Sequence, residues 1–182
     1  MSSKVERGRT LARSQALQIL FQAEALDLSV DDVLAGDYLL SKGPLDPYAI
    51  ELARGCHDQI DRIDCALMSV SKNWSLYRMP STDRNLLRIA VYELRFLPED
   101  SAIDDAVVIN EAVEIAKAYG TDESSRFVNG VLGRISRMDV LPEPEVDADA
   151  DADAVDAEAE SGADDAMHVE SGDTDCDLED GE

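Results

Sequence analysis

The residues best equipped for chemistry are four cations at the start of the chain, Lys4, Arg7, Arg9 and Arg13. Arg9 and Arg13 stand one helical turn apart, and Lys4 and Arg7 can fan out from the segment before them. A guanidinium presents a planar fork of donors that pairs with phosphate oxygens and stacks on bases, so the cluster predicts contact with a nucleic-acid backbone. The competing reading is an ordinary charged helix end. Cations at a helix N-terminus meet the unfavourable end of the dipole and add little to helix stability, which tips the balance toward function.

Polar residues also stand where a helical pattern expects apolar ones. Glu93 falls between Ile89-Ala90 and Leu94-Leu97, and Asn110-Glu111 interrupts the run from Val107 to Val113. Buried polar groups cost a few kcal/mol unless paired, so a hydrogen-bond network tying helices together is favoured over ligand contact. No nucleophile, base and activating group form a catalytic set. There is no phosphate-binding glycine loop, no Gly-x-Ser-x-Gly elbow and no His pair at ligand spacing. The chain reads as a non-enzyme without a cofactor. Cys56, Cys65 and Cys176 fit neither a disulfide framework nor a metal site, and His57 and His168 read as solvent or boundary residues.

Charge is divided unevenly. All 16 Lys and Arg lie between Lys4 and Arg137, whereas from Pro142 onward there are 18 Asp and Glu and no basic residue. The net charge of −24 is therefore mostly the tail's, and it does not argue against a nucleic-acid partner for the rest. No apolar run approaches a membrane span or a signal peptide, which predicts a cytoplasmic protein.

These residues must be positioned by helices, because apolar residues recur at three and four and no period-two strand occurs. A first helix runs from Arg9 to Leu26 with Ala12, Ala16, Ile19, Ala23 and Leu26 on one stripe, and a short helix covers Val30 to Leu39. The longest helix starts after Asp46-Pro47 and carries the seam Ala49, Ala53, Cys56, Ile60, Ile63, Leu67 and Val70. Ser81-Thr82-Asp83 starts another, with side-chain oxygens as its cap and Leu86, Ile89, Ala90, Leu94 and Leu97 as its buried face. A fifth helix spans Asp104 to Tyr119. Thr121 caps a sixth that buries Phe127, Val128, Val131, Leu132 and Ile135, with Gly130 marking a close approach of another helix. The expected organisation is a flexible basic N-terminus at 1–8, a helical domain at 9–138 and a disordered acidic tail at 139–182, whose Asp-Ala units cannot offset the roughly 1 to 2 kcal/mol per residue lost on ordering a backbone.

Three segments then carry a resemblance. Leu87-Arg88-Ile89-Ala90-Val91-Tyr92-Glu93-Leu94, Ile109-Asn110-Glu111-Ala112-Val113-Glu114-Ile115-Ala116-Lys117 and Arg126-Phe127-Val128-Asn129-Gly130-Val131-Leu132 resemble the NusB transcription antitermination factor family. Ala12-Arg13, Ala16-Leu17-Gln18 and Leu20-Phe21 resemble its opening helix, so the likeness spans residues 7 to 135 in order. It implies an all-α fold of two packed three-helix subdomains and recognition without catalysis. The implied partners are boxA RNA, the ribosomal protein NusE and, indirectly, the RNA polymerase antitermination complex, chiefly on ribosomal RNA operons. A helical protein-interaction module without RNA binding is the alternative.

Carried over by residue, the resemblance assigns RNA contact to Arg9 and Arg13, supplemented by Lys4 and Arg7. Phe21 stands where the family often has Tyr, so a base could stack there but a hydroxyl contact is absent. Asp83, Arg84 and Glu123 match helix starts on the partner-facing and RNA-facing surface, with Asp83 and Glu123 assigned to the partner and Arg84 and Arg126 to RNA; as bare charges they could equally be caps. Phe127 either contacts RNA or fills the core. The acidic tail has no counterpart in the resemblance.

Overall fold

Asp46 and Pro47 do what their types suggest. The Asp46 carboxylate accepts from the Tyr48 N–H at 2.8 Å, and Pro47 opens the helix at the position where a missing N–H costs nothing. Ser29 and Asp104 cap two further helices in the same way. The computed structural model describes residues 8–71, 75–121 and 123–144. Its helices are α1 (Gly8–Leu26), α2 (Val30–Ala35), α3 (Pro47–Asp58), α4 (Ile60–Val70), α5 (Ser81–Arg95), α6 (Asp105–Tyr119) and α7 (Ser124–Ile135), with 3-10 turns at Leu76–Arg78 and Glu99–Ser101. Among the described residues there is no strand, and no helix is long and apolar enough to cross a membrane. The tail from residue 145 and the segment 1–7 lie outside the described residues.

The chain packs as two three-helix groups, α1 to α3 and α5 to α7, with α4 laid against α5 and α7. Helix α5 is the shared element. It touches α1, α3, α4, α6 and α7, and Leu86, Leu87, Ile89, Ala90, Val91 and Leu94 on it are all buried. Burying these residues removes apolar surface from water on several sides of one helix, so α5 is the element against which α1, α6 and α7 are packed.

Several expectations are corrected. The long helix from Pro47 to Val70 is two, broken at Gln59 (φ −111°, ψ 18°). No proline or glycine marks the break; α3 packs on α1 and α5 whereas α4 packs on α5 and α7, and the chain turns to serve both. Leu26 is 62% exposed because α1 ends beyond the core, and α2 stops at Ala35. The caps of α5 and α7 are backbone positions at Pro80 and Glu123 without side-chain bonds, since Asp83 and Ser124 are engaged with each other.

Gly130 is another. A Cβ added there meets nothing within 4 Å among the described residues, so no described helix approaches it; Val128, Val131, Leu132 and Ile135 face inward and Gly130 faces out. A mid-helix glycine is less favourable than alanine by about 1 kcal/mol, so Gly130→Ala should raise stability by about that amount in a denaturant melt. A loss of stability instead would show that α7 packs against something on its outward face.

Candidate nucleic-acid interface

Helix α1 enters the core from its rim, and this separates the two arginines on its basic stripe. Arg9, on the first turn, is exposed and lays its guanidinium over the Tyr48 ring, 5.2 Å from the centroid. Arg13, one turn further in, is 3% exposed. Its Nε donates to both carboxylate oxygens of Glu93, at 2.8 and 3.0 Å, and its Nη1 lies 3.7 Å from Glu111. Burial opposes the charge of Arg13, but the hydrogen bond and the charge of Glu93, aided by Tyr48 and Glu111, outweigh it and raise its pKa. The expected RNA contact of Arg13 is therefore corrected: at 3% exposure and paired with Glu93, it faces the interior. Lys4 and Arg7 lie outside the described residues.

Around Arg13 runs the network that the out-of-pattern carboxylates predict. The Tyr48 hydroxyl donates to Glu93 at 2.6 Å, and Thr10 donates to Glu111. Burial, then the charge and hydrogen bond of Glu93, push the Tyr48 hydroxyl well above its ordinary pKa, so it remains a donor. Helices α1, α3, α5 and α6 are thereby tied through charge-assisted bonds. Asn110 takes no part and is exposed.

A second set of residues gathers at the start of α5. On one side, Phe21, 46% exposed, lines a cleft of about 320 Å³ with Leu17, Gln18, Leu39, Thr82 and Tyr119. On the other, Asp83, Glu123, Arg126 and Phe127 line a cleft of about 490 Å³ with Met79 and Pro80. Arg126 and Glu123 are exposed and Phe127 is half-buried, so its ring serves cleft and core at once. The arrangement offers aromatic rings at Phe21, Tyr119 and Phe127 and, at Arg126, a guanidinium without an ion-pair partner among the described residues, groups suited to stacking on bases and pairing with phosphate. Arg9 is not part of it; twelve residues of helix separate it from Phe21, about 18 Å along α1.

Two assigned residues sit differently. Arg84, whose side chain is 11% exposed, is enclosed by the turn before α5: its Nη1 donates to the carbonyls of Leu76 and Met79, both at 3.0 Å, and its Nη2 pairs with Glu24. These bonds leave it an α1–α5 clamp rather than an RNA contact. Asp83 is 5% exposed and accepts from Ser124 Oγ at 2.8 Å, which locks the starts of α5 and α7 together. A surface charge offered to a partner is thus not what Asp83 is, although its Oδ1 has no hydrogen-bond partner among the described residues.

Tyr48 and Tyr119 escape the sequence reading. Tyr119, whose hydroxyl accepts from Ser14 at 2.6 Å, stands beside Gly120 at the end of α6, and an aromatic at a helix terminus is the signal that could have drawn attention to it. Tyr48 carries no comparable signal. Among the described residues, no group of three or more His, Cys, Asp or Glu is placed to hold a metal ion.

The model of the NusB family matches residues 10–137. The chain is 47% identical over 131 residues to the transcription antitermination protein NusB of Salinispora arenicola, covering 70% of this chain and 94% of that one. It superposes on T. maritima NusB with a TM-score of 0.62 at 36% identity, over 75% of this chain and 95% of that one. A chain from a crystal structure of the antitermination factors NusB and NusE in complex with dsRNA gives a TM-score of 0.54 at 26% identity, over 69% and 92% respectively.

Proposed function

This chain belongs to the NusB family, and from that premise we propose that it is a cytoplasmic transcription antitermination factor that binds boxA-type RNA jointly with ribosomal protein NusE, chiefly on ribosomal RNA operons. The observation that carries the reading is a family match running from residue 10 to 137, which takes in almost all of α1 and the starts of α5 and α7 that flank both clefts. The work is recognition: phosphates meet Arg9 and Arg126, bases meet Phe21 and Phe127, and NusE meets the surface beside Glu123. Contact with RNA polymerase is indirect, through the assembled complex.

A protein-interaction module without RNA binding predicts no dependence on phosphate charge, so salt separates the two readings. Phosphate contacts release counterions, and each contributes about 0.7 to the slope of log affinity against log salt on a single strand. Titrating labelled boxA-type RNA with the full chain and NusE at several salt concentrations should give a steep slope. Arg9→Ala should weaken binding and lower that slope by about 0.7 while leaving helical content intact. Affinity and slope unchanged by Arg9→Ala would remove α1 from the RNA site.

A further inference from the structure

We infer that Tyr48 is a positioning residue for RNA binding, whose ring holds the Arg9 guanidinium in place for a phosphate. The inference rests on the RNA-binding reading of Arg9. Tyr48 bridges surface and interior in a way that its place on the second residue of α3 does not require. Its backbone is fixed by the Asp46 cap, and its hydroxyl is fixed by Glu93 at 2.6 Å. Glu93 is itself buried and held by Arg13, so the ring is pinned at both ends. The outer face of that pinned ring is where Arg9 rests.

The geometry leaves Arg9 able to act. Stacking uses the face of the guanidinium and leaves the N–H donors on its edge for phosphate oxygens, whereas an ion pair with a carboxylate would consume them. Among the described residues Arg9 has no ion-pair partner, in contrast to Arg13, Arg84 and Arg88, which are all clamped by carboxylates. A long, flexible arginine side chain loses rotamer freedom when it binds, and a stacked one has already lost part of it. Glu93 thereby acts on the surface through two steps, by fixing Tyr48 and through it Arg9. The buried network and the RNA site are one mechanical unit.

The test compares Tyr48→Leu, Tyr48→Phe and Arg9→Ala in the full chain, with NusE present and boxA-type RNA as the probe, at a temperature where circular dichroism shows each variant folded. Tyr48→Leu should weaken RNA binding about two- to fivefold, the size of an exposed cation–π contact, and should have no further effect in an Arg9→Ala background. Tyr48→Phe keeps the ring but releases it from Glu93, so it should lose stability and should weaken RNA binding measurably, though less than Tyr48→Leu does. A measurement on the unmutated protein guards against misfolding of the leucine variant: the Arg9 side-chain protons should show an upfield ring-current shift in NMR. If that shift is missing, or if Arg9→Ala weakens binding while Tyr48→Leu does not, the positioning role is wrong and the RNA-binding reading of Arg9 stands. If Arg9→Ala itself has no effect, both fall.

Discussion

Arg13→Ala is expected to destabilise the fold by about 3 to 5 kcal/mol and to lower its melting temperature by roughly 10 to 20 °C, before any question of RNA arises. The size follows from what is left behind. Removing the guanidinium strands the Glu93 carboxylate in the interior with the Tyr48 hydroxyl as its remaining donor among the described residues, and it takes one cation from beside Glu111. An uncompensated buried charge costs more than the pair contributes when whole, so Arg13→Ala combined with Glu93→Ala should cost clearly less than the two single changes added together. Thermal melts of the three variants decide this. A wild-type melting temperature for Arg13→Ala, coupled with weaker RNA binding, would return Arg13 to the RNA surface.

Gly120→Ala should be the more damaging of two glycine substitutions that look alike on paper. Gly120 closes α6, donating its N–H to the Ala116 carbonyl at 2.8 Å, and the chain turns at once into α7. A Cβ there would lie 2.6 Å from both Cβ and Oγ of Ser124 and 2.8 Å from the Ala116 carbonyl oxygen. Ser124 is buried and carries the bonds to Thr121 and Asp83 that set α7 against α5, so it cannot yield without loosening the cleft that holds Glu123, Arg126 and Phe127. Overpacking of this kind costs about 1 to 3 kcal/mol. Gly120→Ala should lower the denaturation midpoint by a corresponding amount and weaken RNA binding, while Gly130→Ala moves stability the other way. Equal effects of the two changes would show that the α6–α7 corner relaxes freely.

Much of the architecture was legible because it is local. The Asp46-Pro47 start of α3, the stripes of α5 and α7, and the burial of Cys56 follow from spacing and side-chain type, which do not depend on the rest of the chain. The presence of an internal network was legible too, from carboxylates at Glu93 and Glu111 in apolar rows. What spacing does not contain is where a neighbouring helix stops. Arg9 and Arg13 lie about 40° apart on the same stripe, and only the packing of α3 and α5 decides that one meets solvent and the other a carboxylate. Arg84 reads as a cation at a helix start, but the carbonyls that capture it come from the turn at Leu76–Arg78 and from Met79, placed by tertiary folding. The break at Gln59 and the open flank of Gly130 are of the same kind, consequences of which partners each helix face meets.

The proposed specific RNA recognition shared with NusE is tested most directly by the binding of a labelled boxA-type RNA and a scrambled RNA of the same length at one fixed, moderate salt concentration. Each is titrated with the full chain alone, with NusE alone and with both. The expected result is that the two proteins together bind the boxA-type RNA more tightly than either does alone and more tightly than they bind the scrambled strand, since charge alone cannot tell the two sequences apart. Equal affinity for the two RNAs, or no gain from combining the chain with NusE, would contradict it.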